Sequence, residues 1–530
     1  MKLAKTLISL SVGATLLWGC SGESTTPSDQ GGTTTSYACS THNSAQTDDL
    51  RIYQVMVESF VNGNPTIGHG TGYGTSHHMG DIRGIINSLD YIQDLGMNAV
   101  WLTPIFNSIA VDGQDHWADR LDATGYFATD YFAIDPRFGT LEDAKELVEE
   151  AHKRGLYVFF DGVFGHHKDN VVASPSGNKP VGSSNPVSYP ESLPFFKEVA
   201  QHWVKELKID GWRLDQAYQV PTDAWAEIRK AVDEASQQVT YTNIDGELVN
   251  PLGYMVAEIW SGESEIAQDG YGSEQSPALC SAFDFPMRYR LVQTFAVEES
   301  GYSSNQGGLK LAEGMLTHDA YPAHAKPNLM LGNHDLVRLG DLIQRGDLAE
   351  PEDEAYWLRH KAAISFLGAY TGPITLYYGD EIGDELEGFA DRVTNDCAIS
   401  GKCDDHVARM SGKIEGVTGI TLSTEQADLK DYVKELMTLR ALHPSLAQGT
   451  RNNVVATTSA YADLKTSGEE SILYIVNTTA SNQTITISED TLSFSGNLND
   501  LQTNDSVTLA SGFYNVDLAP FQARFLILEQ

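Results

Sequence analysis

An arginine and an aspartate lie two residues apart in GWRLDQAY, the segment that spans residues 211–218. The surrounding residues suit a buried strand, and positions i and i+2 of a strand point to the same side. Arg213 and Asp215 therefore direct a cation and an anion toward one place. Because burying charges costs free energy unless they are paired or hydrogen-bonded, the pair indicates a site of chemistry.

Other carboxylates follow apolar runs elsewhere in the chain. Asp161, Glu258 and Asp335 each lie near the C-terminal end of such a run, as does the pair Asp380–Glu381. Two carboxyl groups can hydrolyse a glycosidic bond when one attacks the sugar as a nucleophile and the other donates a proton. Nearby negative charge further stabilises the oxocarbenium-like transition state. These residue types therefore suit the chemistry of glycosidic bonds.

The alternation of elements predicts how the carboxylates are brought together. From residue 51 onward, short apolar runs alternate with helical patterns, which is typical of βα units and predicts a (β/α)8 barrel. Active sites of such barrels lie at the C-terminal ends of the strands, so the carboxylates are expected to surround one cleft. The eight predicted strands span residues 51–60, 98–106, 156–164, 211–216, 253–260, 281–287, 328–335 and 374–381.

The sequence predicts two folded domains. The barrel is expected over residues 49–445, with a short insertion at residues 165–192 after the third strand. Beyond about Leu446, short β-branched segments alternate with Gly, Asn, Ser and Asp turns. This pattern predicts an antiparallel β-sandwich over residues 446–530.

The N-terminal residues predict export and a lipid anchor. MKLAKTLISLSVGATLLWGC has two lysines followed by an apolar run that is typical of a secretory signal. Its ending resembles the bacterial lipobox, in which the cysteine is lipidated; the alternative is a plain signal peptide with a chance cysteine. We predict a signal peptide over residues 1–19, a lipidated Cys20 and a flexible tether within residues 20–48. Ser21 after the cysteine implies sorting to the outer membrane.

A strong excess of acidic residues limits the partners of the protein. The formal net charge is -37 and the sequence pI is near 4.6. Nucleic acids and anionic membrane surfaces would repel such a chain. We therefore expect no nucleic-acid partner.

The cysteines are interpreted as disulfide partners, because export places the chain where disulfides form. Cys397 and Cys403 lie around a small loop in NDCAISGKCDD and are expected to pair with each other. Cys39 and Cys280 remain as a second possible pair. No CxxC spacing of the kind that binds zinc is present.

Several segments together resemble those of the α-amylase family of glycoside hydrolases. GWRLD resembles the family's Gly-x-Arg-x-Asp segment on strand four, VAEIW its glutamate segment on strand five, and GNHDLVR its Asn-His-Asp segment on strand seven. DGVFGH resembles the strand-three segment, and GYFATDYFAIDPRFGT and GPITLYYGDEIG match two further stretches. The resemblance covers about residues 50–528 and implies the same barrel.

The resemblance also implies roles for three carboxylates. Asp215 would be the nucleophile, Glu258 the acid and base, and Asp335 the group that stabilises developing charge by holding sugar hydroxyls. Arg213 is expected to keep Asp215 ionised by charge pairing. The apolar neighbours of Glu258 are expected to raise its pKa, so that it is protonated when the reaction begins.

Five further residues complete the predicted site. By resemblance, His166 and His334 would bind sugar hydroxyls, and Tyr126 would stack beneath the reacting sugar. Asp161 is expected to support the site without acting in catalysis. Arg338 is expected to orient the segment that carries the third carboxylate.

The chain also departs from the family pattern. Gly165 replaces an asparagine that is commonly a calcium ligand, and Tyr218–Gln219 replaces the Lys-His pair after the nucleophile. The insertion at residues 165–192 is short where the family often has a larger lid domain. We therefore expect no cofactor, because the motif residues do not support a structural calcium.

The leading interpretation is a retaining hydrolase of α-glucosidic, mainly α-1,4, linkages in starch-like glucans or maltooligosaccharides. The first alternative is a transglycosylase or isomerase with the same three carboxylates. The second is a lipoprotein that binds carbohydrate without catalysis. Binding proteins derived from such enzymes typically lose one carboxylate, whereas this chain keeps Asp215, Glu258 and Asp335.

Overall fold

Eight parallel strands close into a barrel and pair in the order in which they occur in the sequence. This confirms the predicted (β/α)8 architecture. The structure, a computed structural model, describes residues 44–69, 75–110, 121–386 and 407–529. The barrel strands are β1 Arg51–Val55, β2 Ala99–Leu102, β3 Tyr157–Gly162, β4 Gly211–Leu214, β5 Tyr254–Ala257, β6 Ser281–Phe283, β7 Lys326–Met330 and β8 Ile374–Tyr377.

The observed strands end earlier than predicted. The predicted strands included residues that lie beyond the last paired residue of the observed strands, and several of these are candidate catalytic residues. Asp215 follows β4 directly, and Glu258 follows β5 directly. Both backbones are still anchored to the barrel, because the N–H of Asp215 donates to the carbonyl of Gly162 at 3.0 Å and the N–H of Glu258 to that of Leu214 at 2.9 Å.

Alternate residues of the strands fill the barrel interior, as expected for this fold. Ile52, Trp101, Phe159 and Met330 pack there in one apolar cluster. On β3, Asp161 is two residues beyond Phe159 and therefore continues the same inward face. Arg213 of β4 pairs in register with Asp161 and lies at the same level. The interior thus changes from apolar to charged at the C-terminal mouth.

Helices surround the barrel and bury the outward residues of the strands, and the first four of the longer ones have one apolar face. The helix Leu141–Lys153 begins with a capping box formed by Thr140 and Asp143, and the chain leaves it through Gly155 at a φ of +72°. The longer helices are α1 Ile82–Asp94, α2 Leu141–Lys153, α3 Leu193–Leu207, α4 Thr222–Gln238, α5 Phe285–Phe295, α6 Gly308–Leu316, α7 Leu339–Arg345, α8 Glu354–Ala369 and α9 Thr424–Leu442.

Shorter elements complete this part of the chain. Residues 165–192 contain no helix or strand, and the insertion is closed by a hydrogen bond of 2.9 Å from Val187 N–H to the carbonyl of Gly165. After β5 the chain forms a π-helical turn over Ile266–Tyr271. Two-stranded ladders join Phe106–Ser108 to Ala128–Ile134, Tyr241–Thr242 to Leu248–Val249, and Gly272–Ser273 to Ser276–Pro277.

An antiparallel domain follows the barrel. Its larger sheet has the order β9-β10-β11-β16-β13-β14, and β12 pairs with β15 in a second sheet. Leu473 and Ile475 of the first sheet share one apolar cluster with Ile487 and Val516 of the second. The strands are β9 Thr450–Ala456, β10 Ala460–Ser467, β11 Glu470–Asn477, β12 Gln483–Ser488, β13 Leu498–Asp500, β14 Ser506–Val507, β15 Phe513–Leu518 and β16 Ala523–Leu528.

The C-terminal domain binds the end of a barrel helix. Lys465 of β10 is 1% exposed and donates to the carbonyl of Ala369, the last residue of α8, and to Thr371 Oγ1 at 2.6 Å. From the barrel side, Arg440 of α9 donates to the carbonyl of Tyr370 at 2.6 Å. Burial lowers the pKa of Lys465 well below its usual value. The carbonyls at the end of α8 are thereby satisfied from both domains.

The predicted lipidation site and disulfide lie outside the described residues, since Cys20, Cys39, Cys397 and Cys403 all do. Cys280 is disulfide-bonded, and the choice of its partner stays a prediction. Among the described residues, no helix has the length and apolar character needed to cross a membrane.

Candidate active site

The β4 strand begins at a glycine that allows close packing of the site. Gly211 has a φ of +146°, and a Cβ there would lie 1.7 Å from the carbonyl oxygen of Tyr254 on β5. Any other residue would push β4 away from β5. This close approach sets the spacing between Arg213 on one strand and Glu258 at the end of the other.

One buried guanidinium binds three carboxylates. Arg213 is 0% exposed, and its Nη1 lies 2.9 Å from Asp161 Oδ1 and 2.8 Å from Asp215 Oδ1. Its Nη2 lies 3.0 Å from Glu258 Oε1. The second oxygen of Glu258 accepts from the backbone N–H of Gln216 at 2.9 Å. The predicted nucleophile and acid are therefore held on the two nitrogens of a single planar group.

Burial makes these carboxyl groups hard to ionise. Burial raises the pKa of Asp215 to about 7 and that of Glu258 to about 7, in both cases against the opposing charge of Arg213. It raises the pKa of Asp161 to about 6. The raised pKa of Glu258 agrees with the sequence prediction. Arg213 lowers the pKa of Asp215, as predicted, but the guanidinium is shared and desolvation outweighs its charge, so the net shift is upward.

Asp335 has its own cationic partner. Burial opposes its ionisation, but the positive charge around it, supplied permanently by Arg409 and Arg213, outweighs burial and lowers the pKa of Asp335. Arg409 Nη2 donates to Asp335 Oδ1 at 2.6 Å, and its Nε donates to the carbonyl of His334 at 2.9 Å. Burial lowers the pKa of His334 to about 3, so this histidine is neutral and Arg409 is the charge partner. Asp335 therefore remains an anion beside Asp215 and Glu258, whose pKa values are raised.

Tyr126 and His334 form a stacked pair at the mouth. Their rings lie 5.5 Å apart at an interplanar angle of 5°. The hydroxyl of Tyr126 donates to Asp161 Oδ2 at 2.8 Å and lies 2.8 Å from His334 Nε2. Gln54 of β1 donates to His334 Nδ1 at 2.8 Å, which leaves the imidazole proton on Nε2. The predicted supporting residue Asp161 thus orients Tyr126 as well as Arg213.

His166 approaches the same cluster from the loop after β3. Its Nε2 lies 3.7 Å from Asp215 Oδ2, and its Nδ1 lies 2.9 Å from Gln219 Oε1. Burial lowers the pKa of His166, so it is neutral near pH 7. The structure therefore brings together all the predicted catalytic and substrate-binding residues. Their roles toward a bound sugar stay predictions.

Arg338 binds backbone carbonyls of Tyr378 and Ala408, and its predicted role in orienting the segment that carries Asp335 stays a prediction. Its Nη1 donates to the carbonyl of Tyr378 at 2.8 Å and lies 3.5 Å from Asp380 Oδ1, while Nη2 donates to the carbonyl of Ala408 at 3.1 Å. It therefore fixes the end of β8 and the segment around Ala408. The contact with Asp335 is made by Arg409 instead.

Sequence reasoning missed three residues of the site. Arg409 lies in a loop without periodicity or motif, 74 residues from its partner Asp335, so no local signal could have found it. Gln54 did carry a signal, because a fully buried glutamine interrupts an apolar strand. Gln219 was noticed only as a departure from the family pattern, and its contact with His166 shows what it does structurally.

The residues at the family's calcium position do not fit that ion. Calcium takes six to eight oxygen ligands, and Gly165 supplies no side chain. A Cβ at Gly165 would lie 2.5 Å from Gln219 Oε1, so the side chain of Gln219 already occupies this space. In the described ranges, no group of three or more His, Cys, Asp and Glu residues suits a metal ion.

Comparison with known proteins agrees with this geometry. Residues 54–179 and 191–413 match the family model described as alpha amylase, catalytic domain. A crystal structure of an AmyP variant in complex with maltotriose is 65% identical, with a TM-score of 0.89 over 92% of this chain and 98% of that chain. AmyP in complex with maltose matches with the same identity and TM-score, over 92% of this chain and 97% of that chain.

More distant relatives carry names of enzymes. The cyclomaltodextrinase of Thermoanaerobacter pseudethanolicus is 26% identical over 520 residues, which cover 87% of this chain and 78% of the relative. Neopullulanase 2 of Thermoactinomyces vulgaris is 27% identical over 528 residues, which cover 90% of this chain and 77% of the relative. The family match spans well over half of the sequence and contains every predicted catalytic residue. The chain therefore belongs to the alpha-amylase family of glycoside hydrolases.

Proposed function

We propose that the protein hydrolyses α-1,4-glucosidic bonds in maltooligosaccharides and starch-like glucans with retention of configuration. The observation that carries this proposal is the binding of Asp215 and Glu258 to opposite nitrogens of Arg213 at the barrel mouth. A retaining glycosidase needs two carboxyl groups close together, about 5 Å apart, so that one attacks the anomeric carbon while the other protonates the departing oxygen. A shared guanidinium keeps the pair close.

Each residue then has a distinct task. Protonated Glu258 gives its proton to the glycosidic oxygen while ionised Asp215 forms a bond to the anomeric carbon and the glycosidic bond breaks. The resulting glycosyl ester is attacked by water, and Glu258 takes the proton of that water. Asp335, held anionic by Arg409, stabilises the positive charge that develops on the sugar in both steps.

The similar proteins support glucose-based substrates. The titles of the two AmyP structures name maltose and maltotriose as bound ligands. The relatives include enzymes named cyclomaltodextrinase and neopullulanase. At the mouth of the barrel, Trp260 is 48% exposed and its ring stacks on that of Phe285, with the ring centroids 5.7 Å apart. Such a fixed, accessible aromatic face suits the apolar side of a pyranose ring.

Product analysis tests the proposal directly. Maltotriose, soluble starch, pullulan and cyclomaltodextrin are incubated with the protein, and the first products are followed by proton NMR before the anomers equilibrate. We expect hydrolysis of maltotriose or starch, with the new reducing end initially in the α configuration. An initial β-anomer, or no hydrolysis of any of these glucans, would overturn the proposal.

We also propose that the enzyme works without calcium at the family's usual position. Because Gly165 offers no oxygen and Gln219 fills the space beside it, removal of divalent ions should leave the site unchanged. We expect EDTA to alter neither the melting temperature nor the rate of maltotriose hydrolysis. A large fall in melting temperature that added calcium restores would contradict this.

We further propose that the enzyme is exported and held on the outer membrane through Cys20, on the strength of the lipobox-like sequence. Lipid attachment requires the cysteine thiol, so Cys20→Ala should move the protein from the membrane to the soluble fraction. The specific activity should be unchanged, since Cys20 is not one of the residues that form the candidate active site. A Cys20→Ala protein that still sediments with membranes would argue against the anchor.

A further inference from the structure

The carboxamide of Gln219 joins two points of the insertion at residues 165–192 to the loop that follows the nucleophile. Its Oε1 lies 2.9 Å from Nδ1 of His166, which is on the loop after β3. Its Nε2 donates to Asn185 Oδ1 at 3.1 Å, in the insertion, and to Gln216 Oε1 at 3.0 Å, directly after Asp215. A single side chain therefore connects His166 at the start of the insertion, Asn185 near its end, and the nucleophile loop.

These contacts fix which nitrogen of His166 carries the proton. Both partners of Gln219 Nε2 are oxygens that accept, so the amide nitrogen must face them and Oε1 must face the imidazole. An amide oxygen only accepts, which places the imidazole proton on Nδ1. Nε2 of neutral His166 is then a lone pair, directed toward the reaction centre.

That lone pair faces another acceptor. His166 Nε2 and Asp215 Oδ2 are 3.7 Å apart, and neither atom can donate to the other when His166 is neutral and Asp215 is ionised. A hydroxyl group of a substrate bound at the barrel mouth can donate to either of these two acceptors. The opposite holds for His334, since Gln54 donates to its Nδ1 and leaves a proton on Nε2. The two histidines are thus held in opposite tautomers by two glutamines.

Gly165 makes room for this arrangement. A Cβ at residue 165 would lie 2.5 Å from Gln219 Oε1 and 2.6 Å from Gln219 Cβ. Gln219 could not keep its position beside any residue larger than glycine. Gly165 and Gln219 are therefore complementary, and both occupy positions at which this chain departs from the family pattern.

We propose that Gln219 is a positioning residue that holds His166 with its Nε2 as the acceptor of a substrate hydroxyl and ties residues 165–192 to the nucleophile loop. This inference rests on the proposed glucan hydrolysis. In it, the carboxamide of Gln219 links the insertion to the nucleophile loop, at the position where the family commonly binds calcium. Gln219 does not contact the reacting atoms and acts through His166.

The charged surroundings of His166 determine what a change at Gln219 would do. The acidic groups that face it are Asp215 and Glu258, and the neighbouring His167 is also titratable. Burial outweighs the hydrogen bond with Gln219 and the charge of Glu258, and it lowers the pKa of the wild-type imidazole. A carboxylate in place of the Gln219 amide would hydrogen-bond to Nδ1–H and favour the imidazolium, whose Nε2 donates instead of accepting.

Two variants of similar size separate positioning from packing. Gln219→Met removes the hydrogen bonds, and we expect kcat/KM for maltotriose to fall roughly three- to tenfold at every pH. Gln219→Glu keeps an acceptor but adds a charge, so its activity should be lost at low pH and should recover as pH rises and His166 deprotonates. The acidic limb of kcat/KM should therefore lie at higher pH than in the wild type, in which Asp215, with a pKa of about 7, sets that limb.

Gln238→Glu is the matched control, because it adds the same charge at the exposed end of α4. We expect its pH profile to equal that of the wild type. If Gln219→Glu and Gln219→Met have profiles of the same shape, or if neither lowers kcat/KM, the positioning role is wrong.

A measurement without substrate distinguishes this failure from failure of the proposed function. Nitrogen-15 NMR of histidine-labelled wild-type protein, with His166→Gln used for assignment, reports the tautomer. We expect the Nδ1–H form in the wild type and its loss in Gln219→Met; an Nε2–H form in the wild type would overturn the inference. Absence of maltotriose hydrolysis by the wild type would instead overturn the proposed function.

Discussion

Asp215→Asn will abolish glucan hydrolysis while leaving the fold intact. We expect kcat to fall on the order of 10⁴-fold or more, as is typical when a catalytic nucleophile is removed. An amide oxygen cannot form the glycosyl ester, and asparagine also cannot carry the charge that stabilises the oxocarbenium-like transition state. The side chain keeps its size, so the contact with Arg213 Nη1, now 2.8 Å, can still be made.

Steady-state hydrolysis of maltotriose and thermal unfolding measure the two parts of this prediction. Asp245→Asn is the matched control, because Asp245 is exposed in the turn of a short ladder remote from the barrel mouth. We expect the control to match the wild type in both measurements. Activity of Asp215→Asn within tenfold of the wild type would show that another group is the nucleophile.

Glu258→Gln will separate substrates by their leaving groups. With maltotriose the departing sugar oxygen needs a proton, and we expect kcat/KM to fall about 10²- to 10⁴-fold. An aryl maltoside with an acidic phenol leaves without protonation, so its kcat/KM should change little. We use kcat/KM because it reports the first step, in which only the acid role of Glu258 is required.

The pH profile supplies a second readout for the same variant. Burial raises the pKa of Glu258 to about 7, and an acid must be protonated to act, so wild-type kcat/KM for maltotriose should decline as pH rises through that region. Glutamine does not titrate, and this alkaline decline should be absent in Glu258→Gln. Equal losses on maltotriose and on the aryl maltoside would exclude Glu258 as the acid.

The strands and the main carboxylates were predictable because their signals are local. Alternation of apolar runs and helical patterns locates all eight strands, and the inward position of Arg213 follows from strand geometry alone. A carboxylate directly after such a run must lie at the barrel mouth, as Asp215 and Glu258 do. Strand geometry alone predicted where these residues lie, and the family resemblance then predicted the role of each.

Sequence reasoning fell short where the outcome depends on contacts between distant parts of the chain. The contacts of Arg338 with Tyr378 and Ala408 could not be predicted from the sequence, because these partners lie 40 and 70 residues away. The ionisation of Asp215 was inferred from one neighbouring cation. In the folded barrel that cation has two further acidic partners, and burial of the whole cluster determines the pKa.

The bond between Lys465 and the end of α8 limits how far the two domains can be treated as exchangeable modules. The carbonyl of Ala369 and the hydroxyl of Thr371 rely on the side-chain nitrogen of Lys465, which β10 of the other domain supplies. A barrel excised at residue 445 would lose that donor and expose the apolar surface around it, and a grafted β-domain would need a lysine at the same position. The barrel and the β-domain are separate in architecture, but each needs the other at this contact to complete its hydrogen bonds. Recombination of the barrel with a foreign C-terminal domain would have to preserve this junction.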